Sequence, residues 1–269
     1  MSMMMQSVPR YLRVWRACLR NCLARELEFR SSFVLMAIST LFSAIFSIVL
    51  AAQVFANVQE VAGWDFDRMF VLTGSFLIVR GLCSGLQQPN MQKLSELVNK
   101  GELDFVLAQP ISSQFLVSIR YVNFGALLTA VVGVAYVLIG IARLGLTPGF
   151  LAVSAYVVTL TCAFFSIYAL WFMSVTLALW SGRINNISSL FDAVLILGRM
   201  PSDVYRGAMS VILTLVLPIA AIATLPSKAL LGILEPGIVP YQMVLTGVLL
   251  WLSHWFWHFS LRRYTSASS

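Results

Sequence analysis

Long apolar runs alternate with short polar segments along most of this chain. A helix needs about 20 apolar residues to cross the hydrocarbon core of a bilayer. Six windows are long enough, and they cover roughly residues 33–55, 69–86, 122–142, 150–180, 208–225 and 241–260. Apolar residues are continuous in these windows and do not alternate with polar ones, so the pattern predicts six transmembrane helices and argues against strands.

Composition places the whole chain in a membrane. Of the 269 residues, 59% are hydrophobic and 11% are charged, whereas a soluble domain carries about 25% charged residues. The net charge of +7 would favour nucleic acid as a partner in a soluble protein. In a membrane protein, Lys and Arg collect on the cytoplasmic side, so we expect no nucleic-acid binding.

Basic residues also predict the topology. Most of them precede the first window, follow the sixth, or lie between windows two and three or four and five. The positive-inside rule makes these segments cytosolic, so we expect a multi-pass protein of the plasma (inner) membrane with both termini in the cytoplasm. We find no cleavable signal peptide before the first window, and we expect that window to remain as an anchor.

The segment 8–30 has the pattern of an amphipathic helix lying in the membrane interface. Apolar and aromatic residues, including Tyr11 and Trp15, recur at helical spacing, while Arg13, Arg16 and Arg20 occupy another face. Aromatic anchors and basic groups facing anionic headgroups are typical of such helices. Two roles remain open for it, namely membrane anchoring alone and docking against a partner subunit.

Candidate catalytic groups are few. The stretch "LPSKALLG" has the wrong order for a phosphate-binding loop, so we expect no ATP hydrolysis by this chain. His254 and His258 are spaced to share a metal, but their Trp neighbours favour an aromatic belt at the interface. The four cysteines lack the partners that a zinc site needs.

Arg80 is a charge inside the second window. It either extends toward the cytosolic headgroups or contacts an anionic substrate or lipid. We therefore retain it as a possible part of a substrate path.

The polar segment between windows two and three contains "NKGELDFVLAQPISSQFLVSIR". Gly101 ends one helix, a short second helix stops before Pro110, and Ser112 or Ser113 caps a third helix that we expect to continue into window three. The predicted result is a rigid bent loop. It exposes Glu102 and Asp104 and offers the apolar side chains of Leu103, Phe105 and Leu107.

This loop resembles the permease subunits of type 2 ABC exporters, which have a pattern like G-x-L-D-x-x-L-x-x-P-[IV]-x-x-Q-F. The matching residues are Gly101, Leu103, Asp104, Leu107, Pro110, Ile111, Gln114 and Phe115. The later stretches "RMPSDVYRG" and "LPIAAIATLPSKALLG" resemble further motifs of the same family. Ser227 and Lys228 depart from it, since small or apolar residues are more usual there.

The resemblance implies an all-α membrane protein forming a single permease domain over residues 1–269. It implies an interfacial helix (8–30), a cytosolic coupling loop (87–120), a second cytosolic segment (181–207) and a partly re-entrant outer segment (226–240). Contact with an ATPase subunit is implied for Leu97, Lys100, Gly101, Glu102, Leu103, Asp104, Phe105, Gln109 and Pro110.

The implied partners are ATP-binding-cassette ATPase subunits, a second permease that is identical or related, and the lipid bilayer. ATP and Mg would be bound by the ATPase, and this chain would bind no cofactor. The implied function is export of a hydrophobic or amphipathic substrate. A membrane-embedded enzyme and an ion-coupled secondary transporter are the alternatives, although neither a catalytic acid–base set nor inverted repeats are visible.

Overall fold

The computed structural model describes residues 2–28, 30–181, 187–205 and 221–262, and within these ranges the fold is all-helical, without a strand. This confirms the predicted all-α class. The helices are α1 Ser2–Glu28, α2 Arg30–Phe55, α3 Phe66–Leu82, α4 Gln88–Lys100, α5 Asp104–Leu107, α6 Ser113–Ile119, α7 Phe124–Arg143, α8 Phe150–Ser181, α9 Ile187–Leu197, α10 Thr224–Leu230 and α11 Ile238–Leu261.

Four helical stretches are long and apolar enough to cross a bilayer, namely Ser31–Phe55, Phe66–Lys100, Phe124–Arg143 and Phe150–Leu177. They overlap the first four predicted windows, although the second continues to Lys100 instead of ending near residue 86. Helix α11 has 24 residues and covers the sixth window, but it is not among these four, so its crossing remains a prediction. Most of the fifth window, 208–225, lies outside the described residues.

Helices α3 and α4 form one long helix. A π-helical turn over Cys83–Gln87 joins them, and Pro89 sits in the first turn of α4. We had expected the transmembrane helix to end near residue 86 and a separate helix to follow. The joined helix has 35 residues, a length of about 50 Å. It therefore extends well beyond a hydrocarbon layer of about 30 Å.

Glycines bring α3 and α7 into close contact. A Cβ atom added at Gly74 would stand 2.7 Å from the carbonyl oxygen of Gly133, and one at Gly133 would be as close to that of Gly74. Gly140 meets Val71 in the same way. Small residues of this kind allow membrane helices to gain dispersion contacts along their backbones, so the α3–α7 pair forms the centre of the fold.

Hydrogen bonds between buried polar side chains and backbone join α8 to α11. Gln242 Nε2 donates to the Thr159 carbonyl at 3.1 Å, and the hydroxyls of Ser166 and Thr246 are 2.9 Å apart. In contrast, α2 lies at the edge of the bundle and holds α7 through the Tyr136 hydroxyl, which donates to the Ala44 carbonyl.

The end of the bundle that contains Trp64 requires a correction to the predicted topology. Asp203 accepts hydrogen bonds from Trp64 Nε1 at 3.0 Å and from Lys228 Nζ at 2.6 Å. The positive-inside rule predicts that the segments with residues 64 and 228 are outside the cell and that all of 181–207 is cytosolic. These assignments are incompatible, because residues that share hydrogen bonds lie at the same end.

The course of α9 explains the error. Phe191 belongs to a core cluster with Leu94 and Leu103, at the end where α4 stops, whereas Leu195 packs in the cluster that contains Trp64. The apolar helix α9 thus runs from the α4 end toward the Trp64 end. Residues 199–205, including Arg199, therefore lie at the same end of the bundle as Trp64.

Candidate functional site

The segment 101–112, which we call the elbow, reverses the chain between α4 and α6. Gly101 has φ 70°, a left-handed conformation that suits glycine. The Gly101 N–H donates to the Val98 carbonyl and the Glu102 N–H to the Leu97 carbonyl, which closes the end of α4. Helix α5 follows at once, as the sequence analysis predicted for a short helical segment before Pro110.

Two apolar side chains anchor the elbow to the rest of the chain. Leu103 is completely buried and Val106 is 3% exposed. They pack in a cluster that includes Met91 and Leu94 of α4 and Trp171 of α8. Leu103, which we had expected to contact a partner, therefore supports α5 from inside.

The outer face of the elbow combines one large apolar side chain with polar neighbours. Phe105 is 76% exposed. Lys100, Glu102, Gln109 and Pro110 are exposed around it. The remaining members of the predicted contact set, Leu97, Gly101 and Asp104, are half-buried. Because the joined helix α3–α4 is longer than the hydrocarbon layer is thick, we expect this face to lie outside the lipid tails.

Helix α6 is held by α11 and α8. Trp257 Nε1 donates to Ser113 Oγ at 3.2 Å, and His254 Nδ1 is 2.8 Å from Gln114 Oε1. On the other side, the hydroxyls of Ser118 and Tyr168 are 2.7 Å apart. Trp257 is fully buried, so the interfacial-belt interpretation fails for this residue.

The helix that restarts after the elbow does not continue into the third transmembrane helix, contrary to our expectation. Helix α6 ends at Ile119, and α7 begins at Phe124 with Asn123 as its cap. Asn90 bridges the break, since its side chain donates to the Tyr121 carbonyl at 2.7 Å and accepts from the Tyr121 N–H at 2.9 Å. Movement of the elbow would therefore reach α7 through side-chain contacts.

The N-terminal helix α1 lies against α6 and this break. The Tyr11 ring meets Phe115 edge-on at 4.7 Å, and its hydroxyl accepts from the Ser112 N–H at 3.4 Å. Cys22 Sγ contacts the backbone of Arg120 and Val122. The helix predicted from the amphipathic pattern is thus present, and its docking on the chain's own elbow was not foreseen. Its place at the membrane interface remains a prediction.

The basic face of α1 points away from these contacts. Arg13, Trp15, Arg16 and Arg20 are exposed. Burial raises the pKa of the Cys18 thiol. Within the described ranges, no three His, Cys, Asp or Glu side chains are grouped to hold a metal.

A second feature is a groove beside α2, which we call the arginine groove. It lies between α2, α3, α7 and the end of α9, and its volume is about 710 Å³. Both Arg80 and Arg199 line it. The Arg80 guanidinium is 5.9 Å from the centre of the Phe76 ring, and Arg199 donates to Ser47 Oγ at 3.1 Å.

The sequence pattern predicts the elbow and singles out Arg80, but it does not predict the residues that hold the elbow and α6 in place. Asn90, Ser118 and Tyr168 are ordinary polar residues in helical segments, and nothing in their spacing marks them. Arg199 was counted as a cytosolic charge, although it lies in the groove. A weak indication for Trp257 existed, because its position four residues before Leu261 continues an apolar face.

Comparison with known protein families finds a match to a membrane transporter family. The family model described as ABC-2 family transporter protein matches residues 38–268. No curated protein and no solved structure matches the chain.

Proposed function

Because this chain belongs to the ABC-2 transporter family, we propose that it is the membrane subunit of an ATP-driven exporter and that a separate ATPase subunit docks on the elbow. The family places the chain in the membrane component of an ABC transporter. The docking position, the direction of transport and the substrate class are our proposals.

Phe105 is the observation that carries the docking proposal. Phe105 is 76% exposed on a short, well-anchored helix that we expect to lie outside the hydrocarbon layer, and it is an apolar anchor without a partner in the described part of the chain. Interfaces place such aromatic residues at their centre and surround them with polar groups. Lys100, Glu102, Gln109 and Pro110 provide that polar surround, and half-buried Asp104 completes it.

The contacts behind the elbow provide a route for movement. A docked ATPase that shifts α5 would shift Leu103 and Val106, which are packed on α4 and α8. It would also shift α6, which is tied to α11 by Trp257 and His254. Packed side chains and hydrogen bonds of this kind carry coupling between distant sites. The elbow would thereby act on several membrane helices together.

The elbow side is proposed to be cytosolic, as the N-terminal arginines indicate. With Arg199 reassigned to the Trp64 end, most basic residues still lie on the elbow side. We therefore still propose that both termini are cytoplasmic. ATP and Mg would bind to the ATPase subunit. By resemblance to type 2 exporters, we also propose a second permease, identical or related, in the assembled transporter.

The test is replacement of Phe105 by alanine in the full chain, expressed with the ATPase subunit that co-purifies with the wild type in mild detergent. Loss of a central aromatic anchor weakens an interface by about 2 kcal/mol, or roughly 30-fold in affinity. We therefore expect F105A to lose the ATPase on purification and to lose ATP-dependent transport, with the melting temperature of the permease unchanged.

The matched control is Phe150→Ala. Phe150 is 85% exposed, and it begins α8 at the end of the bundle opposite the elbow, so this variant should retain the ATPase. If F105A retains the ATPase as well as F150A does, the elbow is not the docking site. Transport by the purified permease without any ATPase would contradict the ATP-driven function itself.

A further inference from the structure

The arginine groove has the composition of a binding site for an acidic group. Beside Arg80 and Arg199, it is lined by apolar side chains and by hydroxyls, and no Asp or Glu is among its lining residues. The hydroxyls come from the three helices α2, α3 and α7. They belong to Ser39, Thr40, Ser43, Ser47, Thr73 and Thr129.

The two arginines have no counterion within the chain's described parts. None of the ion pairs found there involves Arg80 or Arg199. A guanidinium inside a membrane helix is expensive unless a charge or a polar cavity compensates it. The groove supplies polar hydroxyls, but the positive charge of two arginines is left for a ligand to balance.

The direction of the Arg80 side chain argues against its extending to the headgroups near the elbow. Arg80 lies 14 residues after Phe66 along α3, about 21 Å from the end of the helix near Trp64. Its guanidinium stacks near Phe76, one turn back toward that same end. The side chain therefore points toward the bilayer interior, as helical side chains normally lean toward the N-terminus.

We propose that the arginine groove binds the phosphate group of an amphipathic molecule, with its apolar part against the walls of α2, α3 and α7. Guanidinium groups bind phosphate through two parallel hydrogen bonds, and the hydroxyls that line the groove with Arg80 and Arg199 offer further donors. This inference rests on the proposed transport function, because it identifies the class of substrate that such an exporter would carry.

The experiment measures binding to the permease alone, in nanodiscs of phosphatidylcholine, with dodecyl phosphate as the probe and dodecyl glucoside as its neutral counterpart. The wild type should bind dodecyl phosphate at least about tenfold more tightly than the glucoside, since a charge-assisted hydrogen bond is worth that much. Arg80→Gln and Arg199→Gln should each remove most of this preference, and Arg80→Lys should retain part of it.

Arg68→Gln is the matched control. Arg68 lies on the same helix, outside the groove, in an exposed pair with Asp65, and its replacement should leave the preference unchanged. Equal binding of the two probes by the wild type, or an unchanged preference in both groove variants, would overturn the proposal. If one groove variant does not fold, the other variant and the comparison of probes on the wild type still decide.

Inorganic phosphate provides the remaining arm. It should fail to compete at concentrations at which dodecyl phosphate saturates the groove, because the apolar walls then contribute to affinity. If inorganic phosphate competes as well as dodecyl phosphate does, the ligand of the groove is not an amphipathic molecule and the proposal is wrong. No ATPase is present in these measurements, so their outcome is independent of the Phe105 test and separates failure of the groove from failure of the docking proposal.

Discussion

Helices α2 and α3 are both apolar enough to cross a bilayer, but they occupy opposite positions in the bundle. The 18-residue window of Ser31–Phe55 is the most apolar of the four candidates, and apart from Ala44 it is exposed or half-buried within the chain. The window of Phe66–Lys100 is the least apolar, and 56% of it is buried. Apolarity therefore indicates contact with lipid here more than it indicates a place in the protein core.

Small and polar residues explain the difference. Helix α3 offers Gly74 to α7 and places Ser75, fully buried, 3.1 Å from both the Tyr156 and the Ser227 hydroxyls. Lipid tails are as apolar as leucine, so helices associate in a membrane through close packing and hydrogen bonds. Helix α2 turns its hydroxyls to the arginine groove instead, and its large apolar residues remain exposed.

The most damaging change should be Gly74→Leu, which breaks the centre of the fold. A Cβ atom there already meets the Gly133 backbone and Val137 at under 3 Å, so a leucine forces α3 and α7 apart. Overpacking of this kind costs about 1–3 kcal/mol or more. We expect loss of monodisperse protein, or a much lower melting temperature in detergent.

Gly247→Leu is the matched control, because a Cβ atom at Gly247 of α11 meets nothing within 4 Å. It should behave like the wild type. Equal thermal stability of G74L and G247L would show that the close α3–α7 crossing does not support the fold.

An intermediate loss of stability should distinguish α3 from α2, when Leu72→Ala in α3 is compared with Leu41→Ala in α2. Leu72 is fully buried and Leu41 is 53% exposed. A cavity at Leu72 should destabilise by about 2 kcal/mol, the lower end of the range for leucine, since transfer from lipid contributes little. Leu41→Ala should leave the melting temperature nearly unchanged, and equal losses would contradict the assignment of α2 to the periphery.

The smallest effect concerns the ends of the two helices near Trp64. Asp203→Asn removes the ion pair with Lys228, in which the side chains of Lys228 and Asp203 are 26% and 32% exposed. It also weakens the hydrogen bond to Trp64, which precedes α3. We expect a loss of about 1 kcal/mol. Ser47→Ala, which removes the exposed contact of α2 with Arg199, should change stability less. Thermal unfolding measures both variants. A larger loss of stability for Ser47→Ala than for Asp203→Asn would show that the contact of α2 with Arg199 holds more strongly than the contacts of Asp203.

Local features of the candidate site were predictable from particular residues. Gly101 before a short apolar segment and Pro110 after it predict the elbow, because each restricts the backbone conformation locally. The side-chain clamps on α6 were not predictable in this way. Asn90 lies 31 residues from its partner and Trp257 lies 144 residues from its partner, and no local pattern encodes such separations.

By itself, the sequence determined that this is a helical membrane protein, where its first four long helices lie, and that an elbow follows the second. Each of these depends on apolar length or on glycine and proline, which act locally whatever surrounds them. Only the tertiary structure decided that Leu103 faces inward while Phe105 faces outward, and that Arg199 belongs with Arg80 in one groove. Those assignments depend on which helices become neighbours. In a membrane, the choice of neighbours follows from small-residue packing and paired polar groups, and the length of an apolar run carries no information about either.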